Sequence, residues 1–171
     1  MRILGIDPGT RVTGYGVIDM ERGKPRSIAA GVLRAPDRDM AERLGVIQDE
    51  LRALIAAHAP AVMAVERVFV GRNVNSALML GQARGVALAC AGSAGIAVSE
   101  YSASQIKQAV VGTGRARKEQ VRHMVGILLG MDLQDQALDC TDALAVAICH
   151  GHSAPLARRT GLPAGARWSR R

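Results

Sequence analysis

Four carboxylates occupy positions where an acid is chemically informative: Asp7, Glu66, Asp139 and Asp142. Asp7 ends the apolar run RILGI, and Glu66 ends AVMAV. The end of a buried strand is a costly place for an ionised carboxylate unless it is paired or holds a metal. Asp139 and Asp142 are spaced i, i+3 and so share one face of a helix, whose continuation, ALAVAIC, is core-like. Taken singly, each acid has an ordinary explanation. Asp7 precedes Pro8-Gly9 and suits a turn. Glu66 has Arg67 beside it. Acids in the first turn of a helix complement its dipole. Together they point elsewhere. If the strands ending at Asp7 and Glu66 are neighbours, the two acids lie side by side at the carboxyl ends of strands, where open α/β sheets place ligands. A last helix can bring the other two to the same rim. Four carboxylates in one cleft repel one another unless cations neutralise them. Mg²⁺ or Mn²⁺ suits an all-carboxylate site. Two such ions about 4 Å apart can clamp the attacking and leaving oxygens of a phosphodiester.

The elements that must position these acids follow from periodicity and punctuation. Residues 2–6, 13–18 and 27–33 read as three strands joined by tight turns, the second turn spanning 21–25, in an antiparallel meander. The small residues of TGYGVI suggest close backbone approach. Asp39 can cap a helix over 40–58, with Leu44, Ile47, Leu51, Leu54 and Ile55 on one face. Pro60 stops it. Residues 61–65 form a fourth strand, apolar on both faces. A helix of small, almost uncharged residues follows from 75 to about 92, then a fifth strand over 96–101. Ser102 can cap a short helix to 110. Gly112-Thr113-Gly114 breaks the chain, and helices are expected over 118–129 and 139–152. Strands alternating with helices in the second half imply parallel pairing there. The fold class is α/β: one five-stranded mixed sheet with helices on both faces.

The 171 residues are long enough for one domain with a substantial core, and 49% hydrophobic content excludes a disordered chain. Aromatics make up 2%, so the core must be aliphatic. The longest uncharged stretch, 85–99, falls short of the roughly 18 residues a membrane span requires. No signal-peptide pattern is seen, because Asp7 interrupts the N-terminal apolar run. Cys90, Cys140 and Cys149 lack CxxC spacing and read as reduced core residues of a cytoplasmic protein. The net charge is +7, and five arginines without an acid lie between Pro155 and Arg171. We expect a domain over 1–154 and a basic, flexible tail over 155–171. A polyanionic partner suits this balance. Lys107, Arg115, Arg117, Lys118 and Arg122 form a basic stretch around Gly112-Thr113-Gly114 that can contact phosphates. Phe69, the one Phe, stands in a polar loop with Arg72 three residues past Glu66, where a ring can stack on a base. His123 reads as a surface histidine, and His150 and His152, spaced i, i+2, do not face each other on a helix.

The stretches GIDPGTRVTGYGVI, VERVFVGRNVNSALMLGQARGVAL, YSASQIKQAVVGTGRARKEQV and DCTDALAVAICH stand in one order and cover most of positions 1–152. In them the chain resembles the RuvC family, bacterial Holliday-junction resolvases that are dimeric nucleases of the RNase H-like superfamily. The resemblance implies that Asp7, Glu66, Asp139 and Asp142 are the metal-binding catalytic acids, holding two Mg²⁺ ions with Mn²⁺ as a substitute. It implies that Phe69 stacks at the crossover of a four-way DNA junction, that Lys107 and Lys118 lie near the DNA backbone, and that Arg72 is a further basic contact. It also implies a homodimer, partnership with the RuvA–RuvB branch-migration complex and a cytoplasmic location in bacteria. Other functions carry weight on the residues alone. GIDPGTRVTGYG also looks like the phosphate loop of sugar kinases and actin-like ATPases, but that fold needs two such domains. A DNA-binding module without chemistry would not need all four acids. A nuclease acting on RNA is set aside only by the resemblance.

Overall fold

Five strands form a single sheet in the order β3-β2-β1-β4-β5, in a computed structural model that describes residues 1–67 and 74–160, the side chains of 156–160 excepted. The elements are β1 (Arg2–Asp7), β2 (Val12–Glu21), β3 (Lys24–Arg34), α1 (Met40–His58), β4 (Val62–Glu66), α2 (Val74–Ser93), β5 (Ala97–Tyr101), α3 (Ala103–Val111), α4 (Lys118–Leu129) and α5 (Leu138–Thr160). β1, β2 and β3 pair antiparallel, while β1–β4 and β4–β5 pair parallel. The carboxyl ends of β1, β4 and β5 therefore share one rim.

Local chemistry sets most boundaries. The Asp39 carboxylate accepts the Glu42 amide at 2.9 Å and starts α1, which ends at Ala59 in the left-handed region (φ 44°) just before Pro60. Ser102 and Gln105 form a reciprocal cap at the start of α3. The second turn is shorter than the expected 21–25. Only Arg22 and Gly23 lie outside the strands, both with positive φ (50° and 83°), the geometry that matches the twist of a hairpin. Pro25 then sits inside β3, which is an edge strand and tolerates a missing amide donor. At the other end α5 continues to Thr160, through Pro155, and so carries the first residues of the expected tail. Residues 161–171 lie outside those described.

The two faces of the sheet hold separate cores. Ile3, Ile18, Val62 and Ala64 pack against α3, α4 and α5. Leu4, Ile6, Val17, Met63 and Val65 pack against α1 and α2. The three cysteines are buried and free. Among the described residues no helix is long and apolar enough to cross a membrane.

Candidate active site

Strand alternation decides where the first two acids point. Along β1, Ile3 faces the α5 side, Leu4 and Ile6 the α1 side. Asp7 thus returns to the α5 side. Along β4, Val62 and Ala64 face α5, Met63 and Val65 face α1, so Glu66 follows Asp7. The β1–β4 ladder pairs Ile6 with Val65, and the next step brings Asp7 beside Glu66. The loop after β1 is tied down locally. The Thr13 hydroxyl donates to the Gly9 carbonyl at 2.7 Å and accepts the Gly9 amide at 3.3 Å. A Cβ at Gly9 would strike the Val12 carbonyl oxygen.

The other two acids arrive by close packing of a helix on glycines. Gly14 pairs with Asp7 across the β1–β2 ladder, and a Cβ at Gly14 would strike the Asp139 carbonyl oxygen. One at Gly5 would strike the Ala143 carbonyl oxygen, and one at Gly16 the Leu144 side chain. α5 therefore lies against the backbone of β1 and β2, and its first turn sits over Asp7. The "close approach" signalled by TGYGVI is this contact.

The electrostatics follow from that convergence. Burial, and then the charges of Glu66, Asp142 and Asp139, push the Asp7 carboxyl up to about 8, against the pull of Lys118. Burial and Asp142 push Glu66 up as well, opposed by Lys118 and Lys107. Lys118, the first residue of α4, places its Nζ 2.9 Å from Asp142 Oδ2. That bond holds the ammonium above its usual range. Asp7, Glu66 and Asp139 line a cleft of about 780 Å³ together with Gly9, Arg67 and Ser102.

The structure thus brings together all four sequence-derived acids, Lys107 and Lys118. Phe69 and Arg72 lie outside the described residues. Arg115 and Arg117 are exposed, as is His123. His150 is buried and shares a 2.8 Å hydrogen bond with the Tyr101 hydroxyl, well inside the core. The contact of Lys118 with Asp142 was not expected, the family resemblance having placed that lysine near the DNA backbone. A pairing across 24 positions leaves no periodic trace.

The donor set is one of hard oxygens, with Asp7 and Glu66 largely buried and repelling their neighbours. These residues fit a hard divalent cation. Among the described residues, however, no three His, Cys, Asp or Glu side chains are drawn together into a closed cage. Asp142 is turned to Lys118 instead.

A mixed five-stranded sheet of this order, flanked by helices on both faces, defines the RNase H-like class. Within that class the match is specific. The family described as "Crossover junction endodeoxyribonuclease RuvC" matches residues 3–150. A protein of that name from Marinobacter nauticus is 53% identical over 150 residues, covering 88% of this chain and 85% of its own. Another, from Hahella chejuensis, is 45% identical over 170 residues and covers 99% and 98%. The solved structure of Thermus thermophilus RuvC in complex with Holliday junction substrate has a TM-score of 0.85 at 34% identity, covering 95% of this chain and 97% of that one. The chain belongs to the RuvC family of metal-dependent nucleases.

Proposed function

We propose that this protein is a structure-selective endonuclease that resolves four-way DNA junctions by paired hydrolysis of phosphodiesters near the crossover, in recombination and repair. The observation that carries this reading is the gathering of Asp7, Glu66, Asp139 and Asp142 at one rim, in a chain of the RuvC family. These four would hold Mg²⁺, two ions per site with Mn²⁺ as a substitute. Bound there, the metal supplies Lewis-acid activation of water and neutralises charge developing on the phosphate.

The chain's own residues set the conditions for that chemistry. Asp7 stands between the Thr13–Gly9 loop and the first turn of α5. Glu66 is held by strand pairing, its neighbour Arg67 donating its amide to the Tyr101 carbonyl at 2.8 Å. Lys107 and Lys118 flank the acids and supply positive charge to a DNA backbone that the acids alone would repel. Arg72 adds to this charge. Phe69, which stands between Glu66 and α2 in the sequence, stacks on bases at the crossover and offsets their lost stacking.

A four-way junction presents two symmetric strands, which a twofold dimer matches. The exposed apolar residues of α2, among them Val74, Leu78, Met79 and Leu80, support self-association. The RuvA–RuvB branch-migration complex is the further partner that family membership suggests, and the cytoplasm the compartment.

One assay tests the central reading. Incubation with a synthetic four-way junction, a linear duplex and an RNA–DNA hybrid, with and without Mg²⁺, should give paired nicks in the junction alone and only with metal. Equal cutting of all three substrates would overturn the selectivity. Cutting in chelator would overturn the metal.

A further inference from the structure

Asp142 is the one member of the acid set with an ion-pair partner among the described residues. That partner, Lys118, has a side chain 62% exposed, whereas Asp142 is 22% exposed. Lys118 reaches in from solvent to meet Asp142. Its charge also acts on Asp7 and Glu66, opposing part of the repulsion among the acids. Lys107 acts on Glu66 but forms no ion pair with it among the described contacts.

We propose that Lys118 is a built-in counterion that a divalent metal must displace from Asp142, so that metal loading and release of the Lys118 ammonium are one event. The inference rests on reading the four acids as metal ligands. It explains why the acids share a rim without closing into a cage: an oxygen that would face the ion faces the lysine instead. It also gives Lys118 two successive partners, a carboxylate before loading and a DNA phosphate after it. No bond is made or broken in the exchange. The ammonium keeps its protons, and the divalent ion replaces one positive charge with two.

The chain has three lysines, Lys24, Lys107 and Lys118, which makes the exchange measurable. In full-length protein without DNA, Mn²⁺ binding is measured by calorimetry for the parent, Lys118→Met and Lys107→Met. Removing the competitor should tighten Mn²⁺ binding by about fivefold in Lys118→Met, the scale of a half-exposed ion pair. Lys107→Met should stay within about twofold of the parent, because it changes the field without freeing a ligand. In the parent, reductive methylation read lysine by lysine should accelerate severalfold at Lys118 when Mn²⁺ is added, with Lys24 unchanged. That second measurement decides the matter alone if Lys118→Met does not fold. Equal Mn²⁺ affinity in the parent and Lys118→Met, equal tightening in both lysine variants, or a Lys118 methylation rate indifferent to Mn²⁺ would each overturn the exchange and leave the acids as metal ligands. Absence of Mn²⁺ binding in the parent and both variants would overturn the metal site itself, and the exchange with it.

Discussion

α5 and α2 lie on opposite faces of the sheet and look alike in sequence: both contain long stretches of small and aliphatic residues almost without charge. Their surroundings differ sharply. From Ala143 to Cys149, α5 is buried on every side, because Gly5, Gly14 and Gly16 let its backbone settle onto β1 and β2. α2 buries one side only, through Ala83, Ala87, Cys90 and Ala91, and Arg84 pins it to Glu100 of β5 at 2.6 Å. Its glycines at 81, 85 and 92 face open space, and Leu78 is 63% exposed. A charge-poor helix is therefore buried only if its neighbours make room for it. Each helix also leaves a different demand unmet. At the start of α5 the surplus is negative charge, which calls for cations. Along α2 it is apolar area, which calls for another protein surface.

The largest test of this contrast lies at the acid rim. Asp7→Asn should reduce junction cleavage by at least about 10³-fold, as expected for loss of a group that stabilises charge in the transition state, while gel-shift affinity for the junction is retained. Cleavage close to the parent's rate would remove Asp7 from the catalytic set. Next in size is the pair Gly14→Ala and Gly85→Ala. The first drives a methyl into the Asp139 carbonyl and should cost about 1–3 kcal/mol in denaturant melts. The second meets open space and should gain up to about 1 kcal/mol from helix propensity. If both changed stability alike, the difference between the two seats would be wrong. Leu78→Asp should weaken self-association by about tenfold in sedimentation and leave the folded monomer intact. An unchanged dimer would move the interface off α2.

The smallest effect is electrostatic and concerns the metal-free protein. Asp7 has a folded-state pKa near 8, above its unfolded value. The native state holds a proton that the unfolded chain releases, so the contribution is full below about pH 4 and is lost as pH rises towards 8. Glu66, shifted in the same direction, adds to it. The metal-free parent should therefore lose stability between pH 5 and 8, by about 1 kcal/mol or more. Asp7→Asn should flatten that slope. A slope of the opposite sign in the parent would mean the acids are better neutralised than the fold suggests.

Much of this architecture was legible because it is written in local signals. α1 and α4 begin and end at the expected residues, α1 between the signals of Asp39 and Pro60 and α4 after the break at Gly112-Thr113-Gly114. The two apolar strands ending in carboxylates were legible, and their adjacency, a condition in the sequence reading, is supplied by the β1–β4 ladder. What was not legible depends on distant partners. The glycines of β2 signalled close approach without saying that α5 would be what approaches. Pro25 read as part of a turn because nothing local reveals that β3 is an edge strand. Pro155 read as a boundary, yet α5 runs through it. The Lys118–Asp142 bond joins two helices and has no sequence signature at all. Phe69 and Arg72 remain sequence-derived assignments.

The contact between α5 and Gly14 has a temporal consequence. Asp7 is made on the ribosome well before Asp139 and Asp142. A nascent chain can form the meander and add β4, bringing Asp7 and Glu66 side by side, long before α5 emerges. Until that helix docks, half of the proposed cutting centre is missing. The proposed cutting centre is therefore assembled by the docking of α5, and a chain that has not yet made that helix lacks two of its four acids.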